Sequence, residues 1–169
     1  MIKFREISNF ANVKTFPNIR AHEDMPNYRA VAVDQIGRVT SYATATTPKH
    51  NLCVVMNEFW NRTGDLYFGD RTLRAGQTVL CVGLESIATR FLDVGASHIA
   101  DAIDSTGALT VSPGDALVPD GTGNWAVAAS VPTEGIYLLV TGVTTLPTYG
   151  SGGSDGMTEP AVIAQIISV

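Results

Sequence analysis

The stretch Arg29-Ala-Val-Ala-Val-Asp-Gln-Ile-Gly-Arg-Val-Thr-Ser-Tyr-Ala-Thr-Ala-Thr-Thr-Pro-Lys-His-Asn-Leu-Cys-Val-Val-Met56 decides the fold class. Alternating or β-branched runs occupy Arg29 to Val33, Val39 to Thr47 and Asn51 to Met56. Such runs suit a pleated, half-buried surface. Asp34-Gln35-Ile36-Gly37 separates the first two. Asp can bond amides two residues on, and Gly accepts a left-handed backbone, so this is turn chemistry.

The same grammar continues outward. Further strand runs are Gln77 to Val82, Ala108 to Val111, Asn124 to Val131, Ile136 to Val143 and Ala161 to Val169. Turns are marked by Gly64-Asp65, Gly69-Asp70, Ser112-Pro113-Gly114-Asp115 and Asp120-Gly121-Thr122-Gly123. Short strands at this spacing predict an all-β protein, a barrel or sandwich with little helix. Helix is predicted in one place, where Leu84, Ile87, Ala88, Phe91 and Leu92 share a helical face and Gly95 supplies a stop; Asn57 to Trp60 is a shorter candidate. The apolar end, Ala161 to Val169, reads as a central or barrel-closing strand, because exposed it would invite edge pairing.

Sliding the chain along itself by 86 positions superimposes Ala30 on Ala116, Asp34 on Asp120, Gly37 on Gly123 and Leu52 on Leu138. Thr78 to Gly83 then falls on Ala164 to Val169. This offset points to two similar β-modules from an internal duplication; the alternative is one sandwich whose strands resemble each other because pleats demand similar residues. The expected organisation is an extended N-terminal arm over 1–27, a module over 28–83 and a second over 84–169.

The 169 residues are 45% hydrophobic and 16% charged, with net charge −5. There is enough apolar material for a core, and disorder is not expected. All eleven Lys and Arg lie at or before Arg90, whereas Asp93, Asp101, Asp104, Asp115, Asp120, Glu134, Asp155 and Glu159 follow it. No basic stripe supports nucleic-acid binding, and the asymmetry suits a chain that docks one face on a partner. The start, Met1-Ile-Lys-Phe-Arg-Glu, has no signal-peptide core, and no run reaches membrane-span length, so folding in a cytoplasm is expected. Cys53 and Cys81 sit in apolar runs and read as buried free thiols.

Catalytic patterns are weak. His22, His50 and His98 lack metal-ligand spacing, and the cysteines form no C-x-x-C pair. Gly152-Gly153-Ser154-Asp155-Gly156 has the letters of a nucleophile elbow, but a Gly/Ser loop precedes it and an apolar strand follows. Asp34 and Asp120, at matching repeat positions, lack the Asp-Thr/Ser-Gly context of aspartic proteases. Asp101 and Asp104 lack the D-x-D-x-D spacing of a calcium loop. Trp60, Trp125, Tyr137 and Tyr149 are the aromatic residues available to stack on a sugar. The expectation is therefore no enzyme, no cofactor and no metal.

Val111-Ser-Pro-Gly-Asp-Ala-Leu-Val-Pro-Asp-Gly-Thr-Gly-Asn-Trp-Ala-Val-Ala128, followed by Gly135-Ile-Tyr-Leu-Leu-Val-Thr-Gly-Val143 and the apolar terminal strand, resembles the small β-barrel capsid decoration, or cement, proteins of tailed bacteriophages. A weaker echo lies at 28–56. The resemblance implies a virion structural protein, made in the host cytoplasm, that binds the outer surface of the major capsid protein lattice. It implies a homo-oligomer, with a trimer favoured, and neither nucleic-acid nor membrane partners. Many weak contacts repeated on a lattice provide avidity. Lys3, Phe4, Arg5, Phe10, Lys14, Phe16 and Arg20 are the expected partner-binding residues of the arm. Two other classes fit the same chain: a tail-tube, head-completion or minor capsid subunit, and a carbohydrate- or receptor-binding module.

Overall fold

The computed structural model describes residues 2–4, 13–56, 59–60, 66–67, 72–147 and 158–169. In chain order the strands are β1 (Ile2–Phe4), β2 (Thr15–Arg20), β3 (Met25–Pro26), β4 (Ala30–Asp34), β5 (Val39–Tyr42), β6 (Leu52–Val55), β7 (Phe59–Trp60), β8 (Leu66–Tyr67), β9 (Thr72–Leu73), β10 (Thr78–Gly83), β11 (Phe91–Gly95), β12 (Ala116–Pro119), β13 (Trp125–Val127), β14 (Ile136–Pro147) and β15 (Thr158–Ser168). Helical structure among the described residues is limited to single 3-10 turns at Lys49–Asn51, Leu84–Ile87 and Ala96–His98. The protein is all-β.

Five strands close a small barrel in the order β10-β2-β5-β4-β6, and six form a sheet in the order β1-β11-β15-β14-β12-β13. We call β2, β4, β5, β6 and β10 the first module, and β11 to β15 the second. Numbered within each module, the strands follow one order, 1-5-4-2-3. Backbone hydrogen bonds repeat as well. Val55 N donates to Arg29 O at 3.0 Å, and Val140 N to Asp115 O at 2.9 Å. Ala43 N donates to Ala30 O at 3.1 Å, and Ala128 N to Ala116 O at 2.8 Å. A parallel rung joins the first strand to the third in both: Arg20 to Val39, and Ile99, just past β11, to Trp125.

Strand β6 explains how the modules join. Cys53 and Val55 point into the barrel core with Phe16, Ile19, Val31, Val79 and Cys81. Leu52 and Val54 point the other way, into a larger cluster with Leu117, Trp125, Leu138 and Val162. Side chains alternate across a strand, so a run of four buried apolar residues means that both faces are covered. Each fully buried Leu or Val side chain here contributes about 1.5–3 kcal/mol of transfer free energy.

Several sequence expectations are corrected. The helix predicted from Leu84 to Leu92 is one 3-10 turn followed by β11. Thr89 takes a left-handed φ of 73° and donates to Ile166 O at 2.7 Å. That breaks the helix and delivers Phe91–Gly95 to the edge of β15. Ala108 to Val111 forms no ladder beyond an isolated bridge from Leu109 to Ile103. Phe59–Trp60 is extended and pairs with β8 rather than helical, and 57–58 lie outside the described residues. The terminal run meets its expectation: as part of β15 it lies inside the sheet, between β11 and β14. Within the segment 1–27, β2 is a barrel strand, β1 pairs with β11, and β3 pairs with β9.

The joint also contains a backbone close approach. Gly123 has φ +89°, and a Cβ there would lie 2.7 Å from the Tyr42 ring and 3.0 Å from Arg29 Cδ. Gly123→Ala combines a left-handed backbone penalty with overpacking and is expected to cost about 2–4 kcal/mol. Chemical denaturation of the purified variant checks it; an unchanged midpoint would show that the joint is looser than its geometry.

Candidate interaction surfaces and the fate of the reactive side chains

The side chains that could carry chemistry are mostly engaged in structure. Asp34 Oδ1 accepts from Ile36 N at 2.9 Å, and Asp120 Oδ1 from Thr122 N at 2.7 Å. The pair is thus two separate turn caps. Asp104 Oδ1 accepts from Thr106 Oγ1, Thr106 N and Ala108 N, and these bonds, the Thr106 hydroxyl first, hold its carboxyl below the usual range. Asp115 Oδ2 caps Ser112 N at 2.8 Å. Each carboxylate closes a short loop, which is what acceptor-only side chains do well next to exposed amides.

Both cysteines are free and fully buried inside the barrel on neighbouring strands. Burial pushes the Cys81 thiol up to about 12 and raises Cys53 as well. A thiol kept protonated in an apolar core is a poor nucleophile and metal ligand. His98 is 3% exposed and lies edge-on to Tyr28 at 5.9 Å between centroids. Burial, with the Arg29 charge adding to it, pushes its pKa down to about 3. His22 Nδ1 lies 2.9 Å from Thr40 Oγ1, and the ring packs edge-on to Tyr42. His50 lines an open concavity with Thr46, Thr47, Glu134 and Val169. Among the described residues no three His, Cys, Asp or Glu side chains gather where an ion would be held.

The expected partner-binding residues scatter. Lys3 and Phe4 stand in β1 opposite Asp93 and Leu92, and Arg5 and Phe10 lie outside the described residues. Lys14 is exposed, with Nζ 4.9 Å over the Phe16 ring. Phe16 itself is 5% exposed in the barrel core, so it is not available to a partner. Arg20 is exposed at the end of β2. The sugar-stacking candidates fare similarly: Trp125 is fully buried and Tyr137 is buried, which removes both as platforms. Ser154 and Tyr149 lie outside the described residues, and Trp60 is described in its backbone only.

Sequence reasoning passed over a set of exposed apolar residues, Ile36, Val127, Val131 and Val143, of which Ile36 is 96% exposed. Ile36 is flanked by turn residues, so its composition signals only a loop. No helix among the described residues is long and apolar enough to cross a membrane. No family model, no curated protein and no solved structure matches the chain.

In the native protein, Cys53 and Cys81 should resist a thiol-reactive chromophore and titrate fully only in denaturant; prompt native labelling would mean the barrel opens. For His98 the folded pKa is depressed, so the unfolded chain takes up the proton first. Its contribution to stability is complete above about 6.5 and falls as pH drops towards about 3. His98→Phe should flatten the stability profile across that window in chemical denaturation, and an unaltered slope would sink the assignment.

Proposed function

We propose that this protein is a non-enzymatic virion structural protein that decorates and stabilises a phage capsid by binding the outer surface of the major capsid protein lattice. The observation that carries the reading is the employment of the polar groups. Asp34, Asp104, Asp115 and Asp120 cap turns, the thiols lie in an apolar core, and His98 is buried. What the surface offers instead is a barrel and a sheet with exposed apolar side chains on a turn, at Ile36, and on strands, at Val127 and Val143. Such a body is suited to many small contacts repeated over a lattice. The charge asymmetry supports the same reading, since the acidic second half and the basic first half offer different faces to different neighbours. The resemblance of residues 111–143 to decoration proteins gives the partner.

Lys14 and Arg20, both exposed on the first module, remain the described cationic groups of the N-terminal segment for contact with an acidic lattice. The test is co-sedimentation of the full chain with purified, undecorated phage shells. Saturable pelleting at a fixed ratio to the major capsid protein, weakened several-fold by Lys14→Glu with Arg20→Glu, is the expected result. Protein that stays in the supernatant at every shell concentration would sink the reading.

A further inference from the structure

We propose that the joint between the two modules is repeated between molecules, so that the second module of one chain receives the Asp34–Arg38 turn of a second copy of this chain. Within the chain, the first module receives the Asp120–Asn124 turn of the second. Thr44 bridges Asp120, Gly121 N donates to Ala43 O at 2.9 Å, and Ala30 N donates to Gly123 O at 2.8 Å. Arg29 Nη1 donates to Asn124 Oδ1. The turn is thus held by a receiving edge made of Arg29–Ala30 and Tyr42–Thr44.

Both halves of that joint have a counterpart elsewhere in the chain, in which Arg38 O accepts from Arg20 N at 3.0 Å and Asp115 Oδ2 from Ser112 N at 2.8 Å. The turn's equivalent is Asp34–Arg38, and Asp34 and Asp120 make the same cap. Because Asp34 pairs with Val39 while Asp120 meets Asn124, this turn is one residue longer and Arg38, not Gly37, stands in Gly123's place, both with left-handed φ, 53° and 89°. The receiving edge's equivalent is Asp115–Ala116 with Val127–Ala129. Asp115 and Arg29 accept corresponding bonds, Ala128 and Ala43 donate corresponding ones, and Val127 and Tyr42 stand opposite Leu117 and Val31. Every residue from Asp34 to Arg38 is exposed, and so are Val127, Ala129, Ser130 and Val131. Two of the exposed large apolar side chains, Ile36 at 96% and Val127 at 46%, therefore lie on the two surfaces that would meet.

The substitutions between the copies are complementary in size and charge. Inside the chain, Tyr42 and Arg29 crowd the approaching residue, and only Gly123 fits. At the free edge those positions are Val127 and Asp115, smaller and acidic, while the free turn brings Arg38 in place of glycine. A guanidinium facing a carboxylate and an opened space is a charge-assisted contact in place of a close backbone approach. The same sign runs through the halves, since all Lys and Arg lie in the first 90 residues. Because turn and edge are different surfaces, the contact is heterologous and propagates to a closed ring or an open filament. The contact needs no capsid, so it stands or falls apart from the function proposed above.

The test uses the purified full chain, with mass read by light scattering after size exclusion and fold checked by circular dichroism. Wild-type protein should run as a multimer. Arg38→Asp should shift it to monomer mass with its spectrum unchanged, because Asp tolerates a left-handed φ on an exposed turn. Val127→Lys, on the opposite surface, should do the same. A monomeric wild type, or a multimer indifferent to both Arg38→Asp and Val127→Lys, overturns the proposal.

Discussion

The burial of β6 on both faces is the constraint on which the remaining structure depends. Leu52 and Val54 belong to one core and Cys53 and Val55 to the other, so neither core is complete without this four-residue strand. The barrel is too small to bury much apolar surface alone, as small domains generally are. Laying one wall against the second module makes that wall common to both. The turn Asp120–Asn124 then fixes the angle, because its backbone meets the first module at Ala30 and Ala43. A loosened joint would expose apolar residues of both halves at once.

The class of fold was legible because it rests on local chemistry. Alternation gave the runs that became β4, β5, β6, β10, β14 and β15, and Asp-Gly punctuation marked the turns between them. The offset of 86 residues places Ala30 on Ala116, and these residues open β4 and β12. What was not legible depends on tertiary partners. In β2, Thr15-Phe-Pro-Asn-Ile-Arg hides its strand character behind Pro17 and Asn18. They sit in a bulge, where Phe16 faces Cys81, Ile19 faces Val79 and the ladder shifts between them. A bulge is where a proline is tolerated in a sheet. Leu84 and Ile87 mimicked a longer helix because a 3-10 turn also brings residues three apart onto one side. Trp125 offered two readings by sequence, and only the fold put it inside. The residues expected to bind a partner are neighbours along the chain, and burial divides them: Phe16 lies in the barrel core, whereas Lys14, just before β2, is exposed.

The chemistry of the surface follows from the demands of the backbone. A β-protein with tight turns needs acceptors beside exposed amides, and aspartate supplies them, which is where the carboxylates of Asp34, Asp104, Asp115 and Asp120 are used. The module copies also show how one backbone demand is met by different residues. Tyr28 and Gly114 both take positive φ and both donate to the matching strand, to Val55 O and Val140 O. Glycine meets the demand without a Cβ penalty, whereas Tyr28 bears the strain and is held by burial against His98. A comparison of the halves by residue identity alone understates how alike their backbones are.

The placement of β1 has a mechanical consequence. β1 and β15 flank β11 and run parallel to each other, both antiparallel to it. Ile2 stands level with Val94, while β15 continues past Phe91 towards Ser168 at the far end of the same strand. A pull directed outward along β1 at Ile2 and outward along β15 at Ser168 therefore acts in opposite senses along the strand axis. The inter-strand bonds lie across that axis and are loaded together in shear, not opened one at a time as in a peeling hairpin. The sheet is built to resist stretching between its two flanking strands, a useful property for a body tethered to anything that swells.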